Sequence, residues 1–199
     1  MAHSYTLLIK ALLLGIFLFF AGLFLVKAPL TDARMQERVL QNNIKESVPI
    51  KVKIKKDKEN SFKDLKNGKW IGEFELELTN TGDKPIYFVY ITLVSDVEYG
   101  GTSMVFPLQY GRSELGDIIT RAEDNDIAIK PGETYVFTIH PGQIPAWENE
   151  VAKGTWPDAT KLTVAPQMLS FGDGTGYFAN TLYPPPGLEK KIREQLGKH

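Results

Sequence analysis

The segment 170–177 (SFGDGTGY) is the stretch of the sequence most indicative of ligand chemistry, because it combines three glycines with one acid. Glycine allows positive φ and a close approach of the backbone to a ligand. The Asp173 carboxylate, together with backbone carbonyls, could contribute to a calcium site, although calcium needs about 6–8 oxygen ligands. A dinucleotide loop requires G-x-G-x-x-G before a helix, whereas the spacing here is G-x-G-x-G. The alternative is a tight turn between two strands.

A second candidate cation site is the acidic segment 123–126 (EDND). Asp124, Asp126 and the preceding glutamate place three carboxylates in a predicted loop, and carboxylates are the ligands that calcium prefers. The alternative is a solvated acidic loop with no ligand. Glycosidase chemistry also uses paired carboxylates, but nothing in the sequence places two of them across a cleft.

The side-chain groups on which most enzymes depend are missing or isolated in this sequence. It has no cysteine and three histidines, at positions 3, 140 and 199. Only His140 lies within the body of the chain, so a multi-histidine metal site within one copy is not expected. No serine stands in a G-x-S-x-G elbow. We therefore predict that the protein is not an enzyme and has no cofactor.

Three aromatic residues are candidates for a partner or ligand surface: Trp147, Trp156 and Tyr177. Exposed aromatic rings can stack on a sugar or anchor a protein interface. The alternative is that they pack in the core and under loops.

Residues 1–28 are predicted to be a membrane anchor. The run 11–26 is unbroken and apolar, and it includes Leu12, Phe17, Phe20 and Leu25. With the residues just before it, this run would form a helix about 33 Å long at ~1.5 Å per residue, long enough to cross a bilayer. The alternative is a signal peptide cleaved after residues 26–28, although Pro29 would then follow the cut and disfavours it.

Two observations favour opposite sides of the membrane for the body of the chain. Basic residues are more numerous after the apolar run than before it, which by the positive-inside rule favours a cytoplasmic domain. The N-terminus also has the character of a signal-anchor, and the body is typical of secreted β modules. We predict an extracytoplasmic domain, in the periplasm or at the cell surface. The net charge of −1 gives no reason to expect nucleic acid.

Two segments with strict alternation predict a pair of strands. In 48–55 (VPIKVKIK) lysines alternate with aliphatic residues, and in 70–78 glutamates do the same. Antiparallel pairing would place the lysines opposite the glutamates, where opposite charges help set the register. The alternative is that the lysines form a lipid- or polyanion-binding strip.

Further elements follow from apolar patterning between turn signals. Strands are predicted over 86–94, 102–110, 134–139 and 161–171, and Pro107 indicates that the second of these is an edge strand or contains a bulge. Helices are predicted over 31–46, 144–153 and 188–196.

The strands and turns together predict an all-β, immunoglobulin-like β-sandwich. The turn 80–86 (NTGDKPI) between two strands and the turn 130–133 (KPGE) before a later strand resemble bacterial immunoglobulin-like modules of cell-envelope proteins. The resemblance implies a fold, and such modules usually bind, space or brace other molecules.

The sequence thus divides into an anchor at 1–28, a juxtamembrane helix or stalk at 29–46, the sandwich at 47–186 and a short C-terminal helix or tail at 187–199. The functional prediction is a non-catalytic interaction or structural module, an accessory subunit that contacts lipid through its anchor and other membrane or envelope proteins through its domain. The alternative is a carbohydrate- or calcium-binding extracytoplasmic domain.

Overall fold

A computed structural model describes residues 36–185 together with Gly187 and Leu188, and in it the chain is a β-sandwich of two sheets. The nine strands are β1 (Val39–Asn42), β2 (Ile50–Ile54), β3 (Glu75–Asn80), β4 (Phe88–Tyr99), β5 (Thr102–Tyr110), β6 (Thr134–Thr138), β7 (Lys161–Ser170), β8 (Gly176–Phe178) and β9 (Thr181–Tyr183). The helices are α1 (Glu59–Lys63), α2 (Trp70–Glu73) and α3 (Ile144–Ala152). Short 3-10 turns lie at Lys56–Lys58 and Ser113–Gly116. The mainly β fold predicted from the sequence is confirmed.

The larger sheet has the order β5-β4-β7-β8-β9, and β1 pairs in parallel with the start of β7. The smaller sheet has the order β2-β3-β6. One continuous apolar core contains residues from both sheets and from the helices. At its centre the Trp147 ring packs edge-on against Trp70 at 6.2 Å and against Phe106 at 5.3 Å. These geometries are those that aromatic pairs prefer.

The predicted pairing of the lysine and glutamate strands is confirmed. β2 and β3 are antiparallel, with Lys53 opposite Glu77, and the Lys53 Nζ lies 3.0 Å from a carboxylate oxygen of Glu77. Lys55 forms an ion pair with Glu75 in the same way. These partners leave less lysine charge free for a polyanion, so the alternative of a basic strip is weakened.

Two segments differ from the sequence prediction. The predicted helix over 31–46 is wrong for its described residues, 36–46, none of which is helical and of which 39–42 form β1; residues 31–35 lie outside the described part of the chain. The β1 backbone pairs with β7, and this long-range contact outweighs a weak helical stripe. The strand predicted over 70–78 begins instead with α2, because consecutive Trp70 and Ile71 are both buried and alternation would expose one of them.

The predicted anchor, with Leu12, Phe17, Phe20 and Leu25, lies outside the described residues. Among the residues that are described, no helix has the length and apolar character needed to cross a bilayer.

Candidate functional site

The glycine-rich segment 170–177 is a turn whose carboxylate is already occupied by this chain's own donors. One Asp173 oxygen accepts a hydrogen bond from Lys84 Nζ at 2.8 Å, and the other accepts from the Thr175 amide at 2.9 Å. Burial opposes ionisation, but these donors outweigh it and hold the pKa of Asp173 below its ordinary value. The same ammonium lies 5.3 Å from the centre of the Phe171 ring. This geometry favours the tight turn over a cation site.

The acidic segment 123–126 is organised by an arginine. Arg112 donates two hydrogen bonds to the Asp126 carboxylate, at 3.1 and 3.0 Å, and also pairs with Glu123. This bidentate contact, together with the Glu123 amide, lowers the pKa of Asp126. Asp124 is exposed. Within the described residues, no group of three metal-ligating side chains is arranged to hold a metal ion.

The three candidate aromatic residues lie in different environments. Trp147 is 1% exposed and belongs to the core, so it cannot offer a surface to a partner. Trp156 and Tyr177 are half-buried and pack against the core. The Tyr177 hydroxyl donates to the carbonyl of Ser47, which ties β8 to the segment before β2. Core packing, the alternative left open by the sequence, therefore describes most of this set.

The feature that stands out in the structure is the free edge of β6. This strand pairs with β3 alone among the described strands. The backbone N–H of Asn80 donates a hydrogen bond to the Glu133 carbonyl, so these two residues are a hydrogen-bonded pair of the ladder. In an antiparallel ladder every second pair is hydrogen-bonded, so the backbone groups of Tyr135 and Phe137 are the ones that face β3. The backbone N–H and C=O groups of Thr134, Val136 and Thr138 consequently point away from the sheet, where they are available to another strand.

The other sheet edges carry the features by which proteins prevent unwanted pairing, namely charges, proline or a short strand. β2 has Lys51 and Lys53, β5 has Pro107, β1 has four residues and β9 has three. Of the two alternatives for Pro107, an edge strand or a bulge, the edge is confirmed, since among the described strands β5 pairs only with β4. By contrast β6 reads TYVFT, with neither charge nor proline, and Val136 is 36% exposed. Within the described part of the chain, its edge therefore has neither a neighbouring strand nor a protecting charge or proline.

A groove of about 560 Å³ runs beside this edge, and we call it the edge groove. Its walls come from β6, from Pro107–Gln109 of β5 and from the segment 140–143. Its described lining residues include no aspartate, glutamate, lysine or arginine and a single histidine, His140. The His140 Nδ1 accepts a hydrogen bond from the Gly142 amide at 3.1 Å.

Aromatic packing holds one end of the edge groove in place. The Tyr135 ring lies 4.5 Å from the Tyr110 ring and 4.9 Å from the buried Phe137 ring. The Tyr110 hydroxyl donates to the Ile127 carbonyl at 2.9 Å, and burial raises the pKa of this hydroxyl. At the other end, the buried Gln143 Oε1 has no hydrogen-bond partner within the described residues. The groove thus combines a packed aromatic wall with an amide oxygen that has no hydrogen-bond partner among the described residues.

Sequence reasoning predicted the β6 strand but did not single it out as a binding edge. The available signal was its composition, since a five-residue strand without charge between polar turns is unusual for an edge. Whether a strand is central or at an edge depends on pairing with residues far away in the chain, which composition does not report.

No family model matches the chain, and no curated protein or solved structure is significantly similar to it. Its function must therefore be argued from its own residues.

Proposed function

We propose that this chain is a non-catalytic, membrane-anchored interaction module, with an immunoglobulin-like domain outside the cytoplasm, that binds an extended segment of another membrane or envelope protein along β6. The observation that carries the proposal is the edge of β6 beside the edge groove, which has no charge and no proline and pairs with no described strand. Anchoring by residues 1–28 and the extracytoplasmic location rest on the sequence alone.

Binding would occur by addition of a strand to the sheet. The partner's backbone would pair with the free N–H and C=O groups of Thr134, Val136 and Thr138, which gives affinity without dependence on sequence. Alternate side chains of the partner would enter the edge groove, which gives specificity. Because no carboxylate, lysine or arginine is among the described lining residues of the groove, the partner segment should be uncharged and rich in β-branched or aromatic residues.

An anchor would make such a site useful even at modest affinity. Tethering the domain at the bilayer raises its effective concentration for partners in the same membrane, so a short strand interface is sufficient there. Lipid contact through the anchor and protein contact through β6 are then separate parts of one function.

The alternative of a calcium- or carbohydrate-binding domain has less support. The Asp173 and Asp126 carboxylates are held by Lys84 and Arg112, so a cation would have to displace an internal partner. Of the aromatic candidates for sugar stacking, Trp147 is buried.

The proposal can be tested by photocross-linking of the full-length protein in its native membranes. A photoreactive amino acid replaces Val136 on β6, and in a second variant it replaces Lys53, on the opposite edge of the same sheet. We expect a cross-linked product with a different membrane or envelope protein from position 136 and not from position 53. Peptide mapping of that product should locate an uncharged segment of the partner.

A matched pair of lysine variants provides the control. Val136→Lys puts a charge on the free edge and should abolish the complex, whereas Ile127→Lys places the same charge at a site 79% exposed and outside β6. Equal recovery of the complex with both variants would refute the assignment of β6. A cross-linked product with the mass of two copies of this chain would refute a heterologous partner.

A further inference from the structure

A second groove lies on the larger sheet, away from β6, and we call it the terminal groove. It has a volume of about 540 Å³ and is lined by Ile118 and Ile119, by Met168 of β7, and by residues of β8 and β9. Three of its large apolar side chains are strongly exposed: Ile119 at 63%, Phe178 at 63% and Leu182 at 43%. Exposed apolar side chains clustered in one groove indicate a contact surface.

The described chain ends at this groove. Pro185 is one of its lining residues. The Leu188 amide then donates to the Pro185 carbonyl at 3.0 Å, and Leu188 is half-buried. The last described residue is thus hydrogen-bonded to a residue that lines the groove.

The remaining sequence has the pattern that fits an apolar groove. Residues 188–199 read LEKKIREQLGKH, so that Leu188, Ile192 and Leu196 recur every four residues and would share one face of a helix. The other positions are mostly charged. Four cations against two carboxylates give this segment a net positive charge, and the exposed Asp117 is the one charged residue among the described lining of the groove.

From these observations we infer that the C-terminal segment 188–199 docks in the terminal groove of its own chain through Leu188, Ile192 and Leu196. A helix of about 12 residues is marginal by itself in water, so the predicted helix needs a surface on which to bury its apolar stripe. Ile119, Phe178 and Leu182 offer such a surface within reach of the first turn. The segment would thereby cover the open edge of β9, and it would fix the end of the chain without using the β6 edge.

The inference can be tested by thiol protection, because the chain has no cysteine of its own. A single cysteine replaces Ile119 in the full-length protein in detergent, and its rate of alkylation by a maleimide is measured. The same measurement is made after adding Ile192→Asp and Leu196→Asp. Docking predicts that the two aspartates raise the alkylation rate by about tenfold, since they release the segment from the groove.

The control is a cysteine at Ile127, which is exposed outside the terminal groove, and its alkylation rate should be the same with and without the aspartates. An unchanged rate at position 119 would overturn the inference. Protection that disappears on dilution of the protein would overturn it in favour of a second copy as the occupant.

A direct check is a short bismaleimide that joins cysteines at Phe178 and Ile192 within one chain. Its failure to do so, with both thiols shown to be reactive, would also count against docking. None of these results depends on whether β6 binds a partner.

Discussion

The guanidinium of Arg38 lies 4.4 Å from the centre of the Trp70 ring, and both side chains donate hydrogen bonds to the Asp158 carboxylate. Arg38 is 1% exposed, and it also donates to the carbonyls of Phe62 and Ala159. Burial lowers the pKa of Arg38, while Asp158 acts in the opposite direction. One buried side chain thus fastens the segment that enters from the N-terminal side to both α1 and the start of β7.

Replacing this arginine should destabilise the domain strongly. Arg38→Met leaves the partly buried Asp158 carboxylate without its cation and two carbonyls without their donor, and breaking a buried pair in this way costs about 3–5 kcal/mol. Urea unfolding of the full-length protein measures the loss. Lys63→Met, which breaks the exposed pair with Glu59, is the control and should change stability little. If the two variants unfolded at the same urea concentration, the hydrogen bonds of Arg38 would not stabilise the domain more than the exposed ion pair does.

Part of this fold could be predicted from the sequence, and β2 with β3 shows why. Their alternation of charged and aliphatic residues is local, and it specifies both the strands and the register that pairs Lys53 with Glu77. β1 could not be predicted in the same way, because it is four residues long and its partner, the start of β7, lies far along the chain. Its residues instead show a spacing that is typical of a helix.

The candidate site shows the same division. The sequence predicted the strand containing Val136, but its free edge depends on the order β2-β3-β6, which is set by long-range pairing. Conversely, the composition of the acidic and glycine-rich segments indicated candidate cation sites. Their cationic partners Lys84 and Arg112 are separated from Asp173 and Asp126 by 89 and 14 positions, so the pairing was not evident from local sequence.

Alanine substitutions in the glycine-rich turn should have unequal effects. Gly172 and Gly174 both have positive φ, +68° and +88°, so alanine strains the backbone at either position by roughly 1–2 kcal/mol. At Gly172 the new Cβ would also lie 2.6 Å from the Ala122 Cβ and 2.8 Å from the Tyr87 ring, whereas at Gly174 it would meet nothing within 4 Å. Gly172→Ala should therefore have the lower melting temperature. The reverse order in thermal denaturation would contradict this packing argument.

Calcium should not stabilise the protein. The Asp173 and Asp126 carboxylates already accept hydrogen bonds from Lys84 and Arg112. A bound cation would have to displace these donors, and the loss of their hydrogen bonds would offset the free energy of binding. We expect the same melting temperature in millimolar calcium and in chelator, measured by differential scanning calorimetry. A higher melting temperature in calcium, lost in Asp126→Asn or in Asp173→Asn, would instead identify a cation site at the corresponding loop.

The ion pair of Asp126 should make stability depend on pH in a defined direction. Hydrogen bonds from Arg112 and from the Glu123 amide lower the pKa of Asp126 below 3.8 in the folded state. A carboxylate with a depressed folded pKa contributes stability that is present above its unfolded pKa and is lost as the pH falls through the folded value.

The difference in unfolding free energy between the native protein and Asp126→Asn should therefore be constant near neutral pH and decrease below about pH 4. Asp124→Asn is the matched control at neutral pH, where it should change stability little, because among the described residues the Asp124 carboxylate has neither an ion pair nor a side-chain hydrogen bond. If the difference in unfolding free energy between the native protein and Asp126→Asn did not decrease in acid, the Arg112 contact would not depend on the carboxylate charge.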